Sequence, residues 1–310
     1  MKRAIRDEAL RLGFAACGFA RAGAVSEEAT RCTDHWVGQG YHAGMHYMER
    51  NRPMRLDPTL LVPGCRTLIV VALNYYPQRL LPEEGYQIAY YAYGKDYHRV
   101  VKDKLHQLLA YIRTLDPTTK GRVFCDTAPL LERYWAMQAG LGIIGRNRTL
   151  IIPGKGSYFF LGILAIDREL PHDTPMKGDC GNCRRCLEHC PTGALTTEGI
   201  DCRRCLSYLT IEHRGPLPEE AARQLGKRIY GCDACQQVCP HNCHAQPTAE
   251  PAFRIPDDIA ALTPEEWQGL TQQRYTHLFG DSAIERAGYE GLMRNIRATE
   301  GSSAASPETE

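Results

Sequence analysis

Two compact cysteine runs constrain this 310-residue chain more than any other feature. Ten of its 14 cysteines lie between Cys180 and Cys243. The first run, Cys180-Gly-Asn-Cys183-Arg-Arg-Cys186-Leu-Glu-His-Cys190-Pro191, has the spacing of bacterial ferredoxins. The second is Cys232-Asp-Ala-Cys235-Gln-Gln-Val-Cys239-Pro240. Three thiolates at two-residue intervals wrap one corner of a cubane, and the fourth cysteine of such a run serves the other cluster. Spacing therefore groups Cys180, Cys183, Cys186 and Cys239 around one [4Fe–4S] cluster. It groups Cys190, Cys232 and Cys235 around a second. The eighth ligand is not set by spacing: Cys202, Cys205 and Cys243 are all candidates. Structural zinc is the competing use, but zinc sites favour paired cysteines over a triple followed by Cys-Pro.

Composition adds little around this module. At 43% hydrophobic and 24% charged the chain reads as globular, with length enough for two domains. No run of 18 apolar residues occurs, so no membrane span is expected. The opening Met1-Lys-Arg-Ala-Ile-Arg-Asp-Glu has early acids and no apolar core, so no secretory leader is expected. The expected location is the reducing cytoplasm, where cysteines serve as metal ligands rather than disulfides. Cys17, Cys32, Cys65 and Cys125 stand alone and read as buried thiols. A net charge of +1 excludes nucleic-acid binding through the overall field; such a surface has to be local.

Residues 1–50 read as mostly helical. Arg66 to Asn74 is a short, β-branched apolar run and reads as a buried strand. Tyr97 to Leu115 places Val101, Leu105, Leu108 and Ile112 on one helical face, stopped by Asp116-Pro117. Arg122 to Asp126 reads as a strand. Thr127 then reads as the cap of a helix, with Pro129 in its first turn and Gly140 past its end. Thr149–Ile152 and Tyr158–Ile166 read as two strands joined by a Pro-Gly-Lys-Gly-Ser turn. The alternation implies an α+β fold, with an α/β-like domain and a mixed sheet over residues 1–170. A linker at Pro171–Gly178 opens a ferredoxin-like dicluster module over 171–245. A helical tail follows over 246–310, its last dozen residues small, polar and expected to be disordered. Neither Gly-x-Gly-x-x-Gly nor a Walker loop is present, and Gly140-Leu-Gly-Ile-Ile-Gly145 reads as a helix stop. The electrons thus go to an acceptor other than a Rossmann-bound dinucleotide.

Longer stretches resemble the epoxyqueuosine reductase family, which completes queuosine synthesis on tRNA. They are Leu73-Asn-Tyr-Tyr76, Tyr93-Gly-Lys-Asp-Tyr-His98, Asp126-Thr-Ala-Pro129, Ala139-Gly-Leu-Gly142 and Gly156-Ser-Tyr-Phe159. Further on come Cys205-Leu-Ser-Tyr-Leu-Thr-Ile-Glu-His213, Tyr230-Gly-Cys-Asp-Ala-Cys-Gln236 and the stretch Ser282 to Ile296. The likeness runs from about residue 5 to residue 298. Longer members carry a further C-terminal helical-repeat domain beyond the stretch matched here.

The resemblance implies cob(II)alamin as the acceptor, held between the first domain and the module. It implies reduction of epoxyqueuosine to queuosine at the wobble position of tRNA anticodons, and it makes Cys205 the eighth ligand. Asp126 becomes the proton donor, its pKa raised from about 3.9 by burial against the corrin. Read from the residues alone, Asp126 serves equally as a helix cap. The implied cofactor contacts are Arg55, Ala89, Asp126, Leu150, Leu161, Ser207 and Ala234; the implied tRNA contacts are Arg133 and Arg214. Bland readings stand beside these: a surface ion pair for Arg55, plain core for Leu150 and Leu161. Arg146, Arg148, Lys155, Arg168 and Arg203 offer local charge for RNA. His98 lacks the glycine of the cobalt-ligating Asp-x-His-x-x-Gly motif and reads as a helix-start or surface residue. Electrons are expected from a flavodoxin- or ferredoxin-type donor. They enter at the first cluster, and the second faces the corrin. Competing functions are a reductive dehalogenase-like cobalamin enzyme acting on a small molecule, and a non-enzymatic dicluster electron carrier.

Overall fold

A computed structural model describes residues 1–303, with side chains through Glu300. At its centre is a four-stranded sheet of β1 (Ala16–Arg21), β2 (Thr67–Asn74), β3 (Gly121–Phe124) and β4 (Phe159–Ile166). The strand order is β1-β2-β4-β3, with every neighbour antiparallel. The one parallel pairing among the described residues lies outside this sheet, between Gln87–Ile88 and Arg228–Tyr230. The α+β class is as expected, but the main sheet itself is not mixed.

β2 is a continuous apolar run because both of its faces are covered. Ile69, Val71 and Leu73 share one core with α1 (Lys2–Arg11) and α2 (Tyr97–Leu115). Leu68, Val70 and Ala72 meet α3 (Glu132–Gln138) on the other side. Successive strand residues point to opposite faces, and each fully buried aliphatic side chain contributes about 1.5–3 kcal/mol. The Asp96 carboxylate accepts the His98 N–H at the start of α2, and extended Asp116 ends the helix before Pro117.

Three local readings differ from the sequence expectation. β1 lies inside the stretch read as helical. Its Ala-Cys-Gly-Phe-Ala-Arg has weak strand propensity, and packing selects it: a Cβ on Gly18 would sit 2.0 Å from the Ala139 carbonyl oxygen. Thr127 does not cap α3, which begins only at Glu132 behind Leu131, so Pro129 precedes the helix. Its end is as expected, with Gly140 at φ +72 just beyond. Of Thr149–Ile152, only Leu150–Ile151 forms a strand, and it pairs with Ile143–Ile144 away from the main sheet.

The linker region has no regular structure, yet it is pinned. Asp173 accepts from Lys2 at 2.7 Å, Arg6 at 2.7 Å and the Phe19 N–H at 2.9 Å, tying α1 and β1 together. The cysteine-bearing stretch holds short helices at Arg185–Glu188, α4 (Leu206–Ile211) and α5 (Ala234–Gln237). The C-terminal helices pack onto it. Tyr86, Ile88, Ile229 and Tyr230 share a core with Trp267, Phe279, Leu292 and Ile296. Buried Asn295, on the last helix α6 (Gly288–Ser303), donates to the Thr210 and Ile229 carbonyls at 2.8 Å each. The expected disorder of the last dozen residues falls partly on 304–310, outside the described residues; through Ser303 the chain is helical. Among the described residues no helix is long and apolar enough to cross a membrane.

Candidate functional site

The chain brings its cysteines into two groups. Cys180, Cys183, Cys186 and Cys239 line one cavity together with Arg146, Arg185 and His241. The Arg146 N–H donates to Cys180 Sγ at 3.4 Å, and its guanidinium to the Gly181 carbonyl at 2.7 Å. Burial pushes up the Cys186 and Cys239 thiols, and neighbouring thiolates of the same set add to the effect.

In the second group, burial pushes Cys232 up to about 11 and raises Cys205 and Cys235 too. Cys205 bears on Cys232, and Cys232, Cys205 and Cys190 bear on Cys235. Of the three candidates for the eighth ligand, Cys205 is therefore the thiol facing this set. Cys202 is buried next to Cys205 with its N–H on the Tyr41 carbonyl, and Cys243 is exposed. Backbone N–H groups of Ser207 and Tyr208 point at the Cys205 sulfur, and that of Ala234 at Cys232. Cys205, Cys232 and Cys235 resist ionisation on their own, and a bound iron–sulfur cluster removes that penalty. Of the isolated cysteines, Cys17, Cys65 and Cys125 are buried as expected, but Cys32 is exposed.

Asp126 lies beside His98 and Arg133, and its charge reaches Tyr47 and Arg286 from other parts of the chain. The residue sits just past β3 at φ +59, with its side chain 62% exposed. Tyr97 Oη donates to Asp126 Oδ2 at 2.7 Å, and His98 Nε2 lies 3.4 Å from the same oxygen. His98 Nδ1 is 2.7 Å from Asp96 Oδ1, so the imidazole bridges two carboxylates. The Asp126 N–H donates to Glu132 Oε1 at 2.7 Å. Tyr97 stacks on Phe160 at 4.2 Å, which fixes its hydroxyl. Asp126 caps no helix, so that reading is removed.

The charges around Asp126 run opposite to the sequence expectation. Desolvation does push its carboxyl upward, but the bonds from His98 and Tyr97 and the charges of His98 and Arg133 outweigh it. The carboxyl is held below its ordinary range. Desolvation lowers His98, yet its bonds to Asp126 and Asp96 win and raise it to about 9. Burial, then the Asp126 charge, push Glu132 up to about 8. Tyr97, His98 and Glu132 were not picked out as site residues from the sequence. The signal for the first two was present, since both lie in the Tyr93–His98 stretch.

The other expected site residues lie in several parts of the fold. Arg55 is 6% exposed, its Nη2 on the Tyr47 carbonyl at 2.9 Å and its buried Nε without a partner. That excludes a surface ion pair and leaves a buried cationic donor for a phosphate or amide oxygen. Ala89, buried, donates its N–H to the Tyr230 carbonyl, where Gly231 packs against it. Ser207 and Ala234 open α4 and α5 beside Cys205 and Cys235. Leu150 and Leu161 belong to the core beneath the sheet, 4% and 9% exposed. Arg133 is exposed on α3, and its charge acts on Asp126 and Cys202. Arg214 donates to the Ile211 and Arg286 carbonyls, bracing the tail. Several arginines and lysines expected to offer charge to RNA have partners here: Arg168 with Asp116, Arg203 with Asp201, Lys155 with the Ala15 carbonyl.

Comparison with known proteins places this geometry in context. Residues 55–127 match the model for epoxyqueuosine reductase QueG, DUF1730, and residues 179–242 the 4Fe-4S double cluster binding domain. The chain is 41% identical to the epoxyqueuosine reductase of Leadbetterella byssophila, over 94% of this chain and 96% of that protein. Identity to the Xanthomonas campestris enzyme is 38%, over 94% of this chain and 84% of that one. Among solved structures, an epoxyqueuosine reductase with an epoxyqueuosine-modified tRNA-Tyr stem loop superposes with a TM-score of 0.90. It has 28% identity and covers 97% of this chain and 81% of that one. A Bacillus subtilis epoxyqueuosine reductase whose aspartate-bearing catalytic loop is swung out of the active site superposes at 0.89, with 27% identity over 97% and 81%.

Proposed function

Because the chain belongs to the epoxyqueuosine reductase family, and is an oxidoreductase by that membership, we propose the following reaction for it. It reduces epoxyqueuosine to queuosine at the wobble position of tRNA, passing electrons through two [4Fe–4S] clusters to cobalamin. The change takes two electrons and two protons: both epoxide C–O bonds break, the alkene forms and the oxygen leaves as water. Cobalamin, when bound, supplies a metal that accepts electrons singly and reaches a nucleophilic state. Arg55 with its orphan Nε, the Ala89 backbone, and Ser207 and Ala234 beside the second cysteine group would hold it. Arg133 would meet the tRNA from α3.

One observation carries this reading: an aspartate fixed by Tyr97, His98 and Glu132. As the epoxide oxygen gains negative charge it needs a proton from a group within hydrogen-bond reach. Asp126 is ionised at neutral pH, so the proton is held by His98, raised to about 9, and passes to the epoxide oxygen by way of the Asp126 carboxylate. The related Bacillus subtilis enzyme, with its catalytic loop swung out, is consistent with an aspartate that moves. A flavodoxin- or ferredoxin-type protein donates the electrons, at the cysteine group flanked by Arg146, Arg185 and His241.

The test is anaerobic reconstitution of the full chain. It should take up iron, give a cob(II)alamin spectrum and convert epoxyqueuosine-tRNA with a strong reductant. Asp126→Asn should keep iron and cobalamin yet turn over about 10²–10⁴-fold more slowly. Near-wild-type turnover by that variant would remove Asp126 from the chemistry; failure to bind cobalamin would remove the whole reading.

A further inference from the structure

We propose that Glu132 is a positioning residue that latches the 126–131 loop, holding Asp126 in a left-handed backbone conformation with its carboxylate against Tyr97 and His98. The inference rests on the reading that Asp126 serves the reaction. Few residues with side chains enter the region around φ +59, and they persist there only where their surroundings over-determine them. The loop does little of this itself. Its internal bonds are two tight contacts, Thr127 N–H to the Cys125 carbonyl at 2.7 Å and Leu130 N–H to the Ala128 carbonyl at 2.8 Å. The Asp126 N–H is instead taken by Glu132 Oε1 at 2.7 Å, six residues on.

Glu132 opens α3, and Leu131 before it supplies no side-chain cap. A glutamate in a first helical turn ordinarily stays beside the helix N-terminus, where the dipole favours it. Here it is turned back onto the strained residue, so one side chain joins the start of the helix to the end of β3. Three charged groups face it: Asp126 across the loop, Arg133 from its own helix and His98 from α2. Burial and the Asp126 charge keep its carboxyl protonated at neutral pH. The carbonyl oxygen of a neutral acid accepts an N–H as a glutamine amide oxygen does. Asp126 is left as the sole anion of the pair, while the backbone bond remains.

The full chain as wild type, E132Q and E132A separates this latch from a general structural role. Three quantities decide it: iron content, amide exchange of the peptide spanning 125–131, and turnover of epoxyqueuosine-tRNA against pH. E132Q keeps the acceptor and cannot ionise. Its exchange and kcat should stay within about twofold of wild type, with activity holding further above pH 8. E132A should exchange about tenfold faster in that peptide. Its kcat should fall roughly 10²-fold with KM and iron unchanged, the penalty of a misplaced reacting group. Wild-type exchange and kcat in E132A would overturn the proposal, and so would an E132Q as impaired as E132A. A wild type that cannot convert the tRNA would sink the functional reading. If E132A then still exchanged faster and E132Q did not, the latch would stand.

Discussion

The two cysteine groups differ in what surrounds them. Cys180, Cys183, Cys186 and Cys239 are flanked by Arg146, Arg185 and His241. A cavity of about 710 Å³, walled by Tyr76, Tyr90 and Tyr158, reaches Cys239 from outside. In the second group, backbone N–H groups meet Cys205 and Cys232, and buried Asp233 bears on Cys232 and Cys235. Charge and hydrogen bonding around the sulfurs tune cluster potential. A cationic, open surround suits receipt of electrons from an anionic protein surface; a buried surround suits passing them on. We propose on that ground that the first group is the entrance and the second the exit.

The largest effect is expected at Cys205, which precedes α4 and faces the second group. Cys205→Ser should lose about half of the bound iron, and with it turnover, because an open ligand position destabilises the whole cluster. Cys202→Ala and Cys243→Ala should leave iron unchanged. Iron quantification and electron paramagnetic resonance on the three variants decide between the candidates.

A smaller, more selective effect is expected at Asp233. Its carboxylate accepts the Tyr90 N–H at 2.7 Å, and burial pushes its pKa up to about 6 from 3.8. A raised folded-state pKa means that the folded form binds the proton more tightly. The stabilisation is complete below pH 3.8 and lost as pH rises through 6. Asp233→Asn keeps an acceptor for Tyr90 and removes the buried charge. It should gain on the order of 2–3 kcal/mol over wild type above pH 6. Denaturation curves at pH 5 and pH 8 check this. The same change should raise one of two cluster potentials in a redox titration, leaving the other in place. If both move together, the division between the groups is wrong.

The smallest effect concerns the entrance. Arg146→Ala removes one half-buried cation near Cys180 but leaves the backbone N–H that meets the sulfur. Reduction by a protein donor should slow a few-fold at low salt and little at high salt, since exposed charge is screened. Reduction by dithionite should be unaffected. An equal slowing with both reductants would mean that Arg146 supports the cluster rather than the donor.

How much of this was legible depended on the range of the interaction. β2, α2 and β4 were readable because apolar patterning over eight to nineteen residues decides them. β1 was not, since a weak strand sequence is held by the register with β2 and by the close pass of Gly18 against Ala139. Thr127 looked like a cap, yet the chain turns through four more residues before α3, in a loop that begins at Asp126. Leu150 and Leu161 remained ambiguous until the core closed over them. His98 was set aside on a missing glycine. Its Asp96 partner lies two residues away, but its second partner, Asp126, comes from the loop after β3.

The sequence by itself determined the kind of chemistry. Ligand spacing within a dozen residues dictates which thiols share a cluster corner, because chain geometry over that range leaves few alternatives. The tertiary structure decided which cysteine completes the second group, and it decided the protonation pattern around Asp126. Both depend on groups far apart in sequence brought within a few ångströms. Desolvation and charge at that range are properties of the assembled neighbourhood, and no single segment of the chain contains them.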